Sequence, residues 1–115
     1  MSDCLFCRIV AGAIPADKVI ETGDTLAFRD IAPKAPTHVL VIPKEHHVDI
    51  AALAQAAPAL AGQVLATVAA VADAEGLRES GFRVIFNTGE DGGQEVPHVH
   101  AHVVGGAAVG PMLAR

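Results

Sequence analysis

The chain has 115 residues, 51% of them hydrophobic, and a formal net charge of -5. This length suits a single domain core, and an acidic chain offers no basic surface for a nucleic-acid polymer. No apolar run approaches the about 20 residues of a membrane span, and the N-terminus lacks a signal-peptide pattern, so we expect one cytoplasmic domain over residues 1–115 with no membrane partner.

The first half of the chain predicts a short helix followed by antiparallel strands. The predicted elements are a helical turn or two over residues 4–10, a hairpin of strands 19–22 and 25–28, and a strand over 38–42. Gly23 and Asp24 are the turn residues of the hairpin, and Pro15 prevents the helix from continuing. The run 38–42 is almost continuously apolar and ends at Pro43, which is typical of a central strand.

The second half predicts one long helix between strands. The predicted elements are a helix from about Pro58 to Glu75, a strand over 82–87, a glycine-rich loop over 88–94 and a strand over 99–104. One helical stripe collects the apolar residues Leu60, Val64, Leu65, Val68 and Val71. Gly76 stops the helix. The pattern indicates an α+β fold with an antiparallel sheet of about five strands, one long helix and a short N-terminal helix. The tail from Gly105 to Arg115 has no periodicity.

Three of the six histidines stand at alternate positions: His98, His100 and His102. In a strand they share one face, and the small apolar residues between them share the other. Alternating histidines can be a polar or pH-sensitive strand face, metal ligands or catalysts. At about 3.3 Å per residue the outer two lie about 13 Å apart, so the three cannot easily bind one zinc ion.

Nucleophilic catalysis is the alternative in which a neutral imidazole attacks an electrophile and a neighbour orients it. Imidazole needs no unusual activation at neutral pH. The glycine-rich loop immediately precedes the histidines, so its backbone N–H groups could surround a phosphate. Such loops are usually only turns, and the adjacent histidines are what favour a phosphate site here.

The segment His98-Val99-His100-Ala101-His102-Val103-Val104 resembles the signature of the histidine triad (HIT) family of nucleotidyl hydrolases and transferases. Further segments resemble the Hint branch of that family, in order and spacing: residues 28–31, residues 35–44, Asn87 and residues 91–94. The resemblance covers residues 4 to 106. It implies a HIT-like fold, a homodimer whose central strands join across the two-fold axis, and hydrolysis of purine nucleoside phosphoramidates such as adenosine 5'-phosphoramidate.

The resemblance also implies roles for single residues. His100 matches the nucleophile that forms a nucleotidyl-histidine intermediate, His102 a partner that contacts the phosphate, and His38 a supporting histidine. Asp30 matches a carboxylate that binds the ribose. The remaining nucleotide contacts are Leu5, Phe6, Ile9, Phe28 and Ile31 for the purine, and Asn87, Gly93, Gln94 and Glu95 for phosphate and ribose. No divalent metal is needed at the reaction centre. From their residue types alone, the five apolar residues would more often be ordinary core.

Cys4 and Cys7 have the two-residue spacing at which both thiolates can bind one zinc ion. Alone, this spacing is as often structural or redox-silent as metal-binding. Relatives in the HIT family with this motif imply a structural zinc on Cys4, Cys7, His46 and His98, and we expect His47 to be a solvent-exposed neighbour.

Two departures from the family pattern leave other functions open. Glu95 stands where the best-known Hint proteins have serine, and a carboxylate beside an anionic substrate repels it unless it points away. The tail lacks the family's usual basic residue, so its recognition of the leaving group cannot be carried over. The alternatives are a dinucleoside polyphosphate hydrolase and a non-catalytic module that binds nucleotides or partners.

Overall fold

The computed structural model describes residues 3–113. The elements in chain order are α1 (Leu5–Val10), β1 (Lys18–Glu21), β2 (Thr25–Arg29), β3 (Thr37–Pro43), α2 (Ile50–Ala56), α3 (Pro58–Ala74), β4 (Phe82–Phe86) and β5 (Ala101–Gly105). The strands form one antiparallel sheet in the order β1-β2-β3-β5-β4. The predicted α+β architecture is therefore confirmed. Within the described range, no helix has the length and apolar character that a membrane span requires.

The two faces of the sheet bury different cores because side chains alternate along each strand. On β3, Val39 and Val41 face α3 and join the larger core. Leu40 and Ile42 face the other way and pack with Phe6 of α1 in a second cluster. The short helix α1 therefore covers part of the face of the sheet that α3 leaves open.

The alanine-rich region contains two helices where the sequence predicts one. Asp49 caps α2, and its carboxylate accepts a hydrogen bond from the backbone N–H of Ala52 at 2.8 Å. Pro58 is the first residue of α3, and it disfavours helical dihedrals at Ala57, which has φ -146° and ψ 67°. The break between the helices thus has a local cause. Leu65, predicted on the buried stripe, is instead 54% exposed.

The strand that follows the glycine-rich loop is shorter than predicted and begins at Ala101 rather than Val99. The backbone N–H of Val99 donates to the carbonyl of His47 at 2.8 Å instead of to a neighbouring strand. Of the three alternating histidines, only His102 therefore lies within β5. The alternation of faces still holds, because Val99 and Ala101 lie in the core beneath α3.

Candidate active site

An open cavity of about 540 Å³ lies on the sheet face opposite α3, a volume typical of small-molecule sites. It brings together seven of the residues that the sequence singles out: Asp30, His38, Asn87, Gly93, Glu95, His100 and His102. β3 and β5 carry His38 and His102 side by side, in register with Val104 and Leu40 respectively. The cavity is therefore assembled from distant parts of the chain, with lining residues from Asp30 to Val109.

The hydrogen bonds of His38 determine the proton positions on the neighbouring histidine. The backbone N–H of Lys34 donates to Nδ1 of His38 at 3.0 Å, so the neutral ring carries its proton on Nε2. That Nε2 lies 2.9 Å from Nδ1 of His102 and 3.5 Å from a carboxylate oxygen of Asp30. His38 therefore donates to His102, whose own proton is left on Nε2.

Burial keeps both rings of this pair neutral. Burial lowers the pKa of His38, against the opposing charge of Asp30. It also lowers the pKa of His102 to about 4, and a proton on the neighbouring His100 or His38 would lower it further. A neutral His102 can accept the proton of His38 at Nδ1 and donate from Nε2 to a group in the cavity.

His100 is buried, and its ring bonds a backbone carbonyl instead of another histidine. Its Nδ1 lies 2.8 Å from the carbonyl oxygen of His98, which can only accept a hydrogen bond. Nδ1 therefore carries the proton, and the lone pair of Nε2 is available for nucleophilic attack. The rings of His100 and His102 are neighbours with centroids 4.9 Å apart, and Phe6 packs edge-on against His100 at 5.1 Å.

Only some residues of the glycine-rich loop line the cavity. Gly93 and the exposed Glu95 line the cavity. The side-chain amide of Gln94 instead ties the loop together: its oxygen accepts from the backbone N–H of Gly89 at 3.0 Å, and its nitrogen donates to the carbonyls of Val48 and Val96. The backbone N–H of Gln94 also bonds within the loop, donating to the carbonyl of Gly89 at 3.0 Å, so Gln94 holds the loop in shape.

The five apolar residues expected around a purine divide into two groups. Phe6, Ile9 and Phe28 are buried together in the cluster beneath α1. Leu5 is 43% exposed, and Ile31 is fully exposed beside Asp30. None of the five lines the cavity that holds the histidines, although Phe6 packs edge-on against its His100.

Cys4, Cys7, His46 and His98 form a second cluster beside the cavity, and it could hold a metal ion. Nδ1 of His98 lies 3.4 Å from Sγ of Cys4, 3.6 Å from Sγ of Cys7 and 3.2 Å from Nδ1 of His46. Sγ of Cys7 lies 3.4 Å from Nδ1 of His46. All four residues therefore direct one donor atom each toward a common point.

The fully buried His98 is prepared for this role. Its Nε2 donates to the carbonyl of Pro43 at 2.9 Å, which leaves the lone pair of Nδ1 directed at the cluster. Burial lowers the pKa of His98 to about 4, so the ring stays neutral at pH 7. The expectation of a solvent-exposed His47 is wrong: its side chain is 13% exposed and bonds Glu45 at 2.7 Å.

Among the cavity residues that the sequence interpretation missed, two lie on the edge strand of the sheet. Arg83 and Ile85 lie on β4, opposite Val104 and His102 of β5. They precede Asn87 by four and two residues, so strand alternation places all three on one face. That alternation was the available signal.

Comparisons with known proteins agree with this geometry. A model of the HIT domain matches residues 11–109. A HIT-like protein of Azospirillum brasilense is 47% identical over 96% of this chain and 92% of its own length. The purine nucleoside phosphoramidase of Escherichia coli K12 is 40% identical over 98% of this chain and 95% of its own length. The crystal structure of a HIT family hydrolase from Legionella pneumophila superposes with a TM-score of 0.90 at 46% identity, covering 94% of this chain and 96% of that one. The chain belongs to the HIT domain family.

Proposed function

We propose that this protein hydrolyses purine nucleoside phosphoramidates of the adenosine 5'-phosphoramidate type to a nucleoside monophosphate and an amine. The observation that carries the proposal is the hydrogen bond from Nδ1 of His100 to the carbonyl of His98, which leaves Nε2 as a nucleophile beside His102. Membership of a family of nucleotide hydrolases supports it, as does the 40% identity to a purine nucleoside phosphoramidase.

The reaction proceeds in two displacements at the α-phosphorus. In the first, Nε2 of His100 forms a bond to phosphorus while the P–N bond breaks, and the amine takes up a proton from solvent and leaves. In the second, water attacks the nucleotidyl-histidine and gives its proton back to solvent, the monophosphate is released and Nε2 regains its lone pair. Nε2–H of His102, the side-chain amide of Asn87 and the backbone N–H of Glu95 stabilise charge on the phosphate oxygens, so no metal ion is needed at this centre.

The rest of the cavity binds the nucleoside. The carboxylate of Asp30, which lies 3.5 Å from Nε2 of His38, accepts hydrogen bonds from the ribose hydroxyls. The purine lies on the apolar surface formed by Phe6, Ile9 and Phe28, with Leu5 and Ile31 at its edge. Phosphate and ribose lie against the side-chain amide of Asn87 and the backbone of Gly93, Gln94 and Glu95. Glu95 contributes its backbone N–H, because its carboxylate would repel the phosphate.

The test is the trapping of the covalent intermediate. Rapid mixing with adenosine 5'-phosphoramidate followed by intact-mass spectrometry should detect a nucleotidyl adduct on the wild type and none on His100→Ala. Tight nucleotide binding without turnover would instead support a non-catalytic module. Faster cleavage of a diadenosine polyphosphate in a parallel assay would favour the polyphosphate hydrolase.

We also propose that the four-residue cluster binds one structural zinc ion. In a tetrahedral zinc site with bonds of about 2.3 Å to sulfur and 2.05 Å to nitrogen, neighbouring ligands lie about 3.6 Å (S to N) and about 3.3 Å (N to N) apart. The cluster has S to N separations of 3.4, 3.4 and 3.6 Å and an N to N separation of 3.2 Å. The donor set therefore fits zinc, which would anchor α1 over the sheet.

A homodimer joined through β4 completes the proposal. Among the described strands, β1 and β4 are the edges of the sheet, so sheet joining requires one of them. On β4, Phe82 is 38% exposed and Val84 is 36% exposed. Light scattering should give the mass of a dimer, and Val84→Lys should shift it toward the monomer because a charge on an edge opposes pairing.

A further inference from the structure

The two cysteines of the four-residue cluster lie close enough to bond each other. Cys4 is the N-cap of α1 and Cys7 is the third residue of the helix, so both sulfurs belong to its first turn. Sγ of Cys4 accepts a hydrogen bond from the backbone N–H of Cys7 at 3.4 Å, and all donor atoms of the cluster lie within 4.8 Å of one another. Because a disulfide joins sulfurs at about 2.05 Å, rotation of the two side chains closes the gap. Dithiol oxidoreductases use the same two-residue spacing for a reversible disulfide.

One side of the cluster is accessible to small molecules. Cys4 and His46 line a second cavity, of about 520 Å³, and both cysteines are only half-buried. Cys7 does not line this cavity, and the ring of His98 is fully buried. A small oxidant that enters the cavity therefore meets Cys4 first.

The cluster is connected to the proposed nucleophile through α1 and through His98. Phe6, which lies between the two cysteines in the chain, packs edge-on against the rings of His98 and His100. The carbonyl of His98 accepts the hydrogen bond that orients His100. The ring of His98 is itself held at both nitrogens, by the carbonyl of Pro43 at Nε2 and by the cluster at Nδ1. Loss of the cluster therefore loosens both supports of His100.

We propose that hydrogen peroxide oxidises Cys4 and Cys7 to a disulfide, and that this oxidation opens the four-residue cluster and deprives His100 of its orientation. The inference rests on the proposed zinc site and the proposed phosphoramidate hydrolysis, to which it adds a reversible switch. A disulfide has no thiolate charge for a metal ion, and two histidines alone do not complete a four-ligand structural site. Oxidation therefore releases zinc and removes the anchor of α1.

The oxidation consists of two displacements. Sγ of Cys4, as a thiolate, attacks one oxygen of the peroxide: an S–O bond forms, the O–O bond breaks, and hydroxide leaves and takes up a proton from solvent. The thiolate of Cys7 then attacks the sulfenic sulfur of Cys4: an S–S bond forms, the S–O bond breaks, and a second hydroxide leaves and is protonated in the same way. The two cysteines lose two electrons and the peroxide gains them, so the products are one disulfide and two water molecules.

Titration of the zinc-loaded wild type with hydrogen peroxide tests the disulfide directly. The mass of the denatured chain should fall by about 2 Da as two hydrogen atoms are lost, and a colorimetric chelator should detect released zinc in step with that change. Dithiothreitol should restore the mass, and added zinc should then bind again. A gain of about 32 Da on one cysteine, which indicates a sulfinic acid, would overturn the proposal. Retention of zinc by disulfide-bonded protein would also overturn it.

A matched pair of variants tests which sulfur reacts first. Cys7→Ser and Cys4→Ser each remove one sulfur and one metal ligand, so the two variants damage the zinc site equally. Cys7→Ser should accumulate a sulfenic acid on Cys4, which dimedone captures. Cys4→Ser should be labelled several-fold less, because Cys7 does not line the second cavity. Equal labelling of the two variants would overturn the assignment of Cys4 as the site of attack.

The effect on catalysis is measured with adenosine 5'-phosphoramidate. Peroxide should lower kcat of the wild type about tenfold or more, because a misplaced imidazole attacks poorly, and dithiothreitol with zinc should restore the rate. The double variant Cys4→Ser, Cys7→Ser should start at the lowered rate, and peroxide should not lower it further. A further loss in the double variant would place the sensitivity outside the cysteines, and full activity of the disulfide-bonded wild type would exclude the switch.

Failure of the proposed function would be seen separately. If the wild type does not cleave the compound, the proposed hydrolysis is wrong, and the ring of His100 then reports the switch. Its nitrogen resonances in ¹⁵N NMR should show the Nδ1–H tautomer before oxidation and a mixture of tautomers after it, with recovery on reduction. Unchanged resonances in disulfide-bonded protein would overturn the connection between the cluster and His100 independently of turnover.

Discussion

The carbonyl of His98 accepts a hydrogen bond from Nδ1 of His100 at 2.8 Å, while the ring of His98 faces Cys4 and Cys7. One residue thus serves two sites, because its carbonyl orients the ring of His100 and its side chain belongs to the cysteine cluster. The ring of Phe6 strengthens this connection, because it packs edge-on against both histidines with centroids 5.8 and 5.1 Å away. Disturbing the cysteine cluster should therefore affect the nucleophile.

Replacing a cluster histidine should remove the metal. We expect elemental analysis of protein purified without chelator to find one equivalent of zinc per wild-type chain and a small fraction of that in His46→Gln. Melting temperature should fall by about 5 °C or more, because the loss of an anchor for α1 costs at least about 1 kcal/mol.

The adjacent His47→Gln is the matched control for this experiment. His47 lies outside the cluster and contributes a backbone carbonyl to Val99 whatever its side chain is. The His47→Gln variant should bind as much zinc as the wild type and melt at nearly the same temperature. Less than a tenth of an equivalent in the wild type would rule out the zinc site.

His38 should control catalysis through the tautomer of His102. His38→Ala removes the donor to Nδ1 of His102, so the ring loses its preference for a proton on Nε2. We expect kcat for adenosine 5'-phosphoramidate to fall about a hundredfold, as when a donor to the developing charge is lost. In His38→Gln an amide N–H can replace the donor, so part of the rate should return. Equal rates in both variants would contradict the tautomer argument.

The buried His102 should make the fold sensitive to acid. Its pKa is about 4 in the folded protein, against 6.5 for an ordinary histidine. Between these values the unfolded chain takes up a proton that the folded chain does not, so the free energy of unfolding decreases as the pH falls from 6.5 to 4. The full difference between these two pKa values corresponds to about 3 kcal/mol in the free energy of unfolding.

Urea denaturation at several pH values measures this contribution. The wild type should lose more stability between pH 7 and pH 4.5 than His102→Gln, in which the titrating ring is absent. Both proteins keep the cysteine cluster, so any loss of metal in acid affects both and cancels in the comparison. Parallel pH profiles for the two proteins would show that His102 does not titrate as described.

Gly92 should resist substitution because it packs on its own loop. A Cβ at this position would lie 2.9 Å from the backbone nitrogen of Thr88, and backbone atoms cannot move aside as a flexible side chain can. Gly92→Ala should therefore lower the free energy of unfolding by about 1–3 kcal/mol and raise KM, since the loop carries Gly93 into the cavity. Gly23→Ala is the matched control, because a Cβ there meets no atom within 4 Å. Equal stabilities of the two variants would contradict this packing.

Local patterns in the sequence predicted most of the fold. The hairpin at Gly23-Asp24, the apolar run that became β3 and the helix that starts at Pro58 all have causes within a few residues. The prediction failed where a distant partner decided the outcome. Val99 was expected in a strand, but its N–H bonds the carbonyl of His47, and no local pattern reports such a contact.

Some features of the candidate site can likewise be predicted from local sequence, whereas others depend on distant partners. The histidine alternation and the Cys4-Cys7 spacing are visible in the sequence because they are properties of side-chain identity at fixed intervals. The geometric argument that one strand's outer histidines lie too far apart for one ion also needs only the sequence, and the structure agrees in directing His98 to the cysteines and His102 to His38.

By itself, the sequence determined the family resemblance, the architecture and which side chains could be reactive. Only the tertiary structure decided how those side chains are protonated and which backbone groups they bond. The reason is that backbone groups of Pro43, Lys34 and His98 assign the histidine tautomers, and carbonyls of Gly110 and Pro111 hold Arg83. Every residue has such backbone groups, so their roles leave no mark on residue identity and emerge only when the chain brings them together.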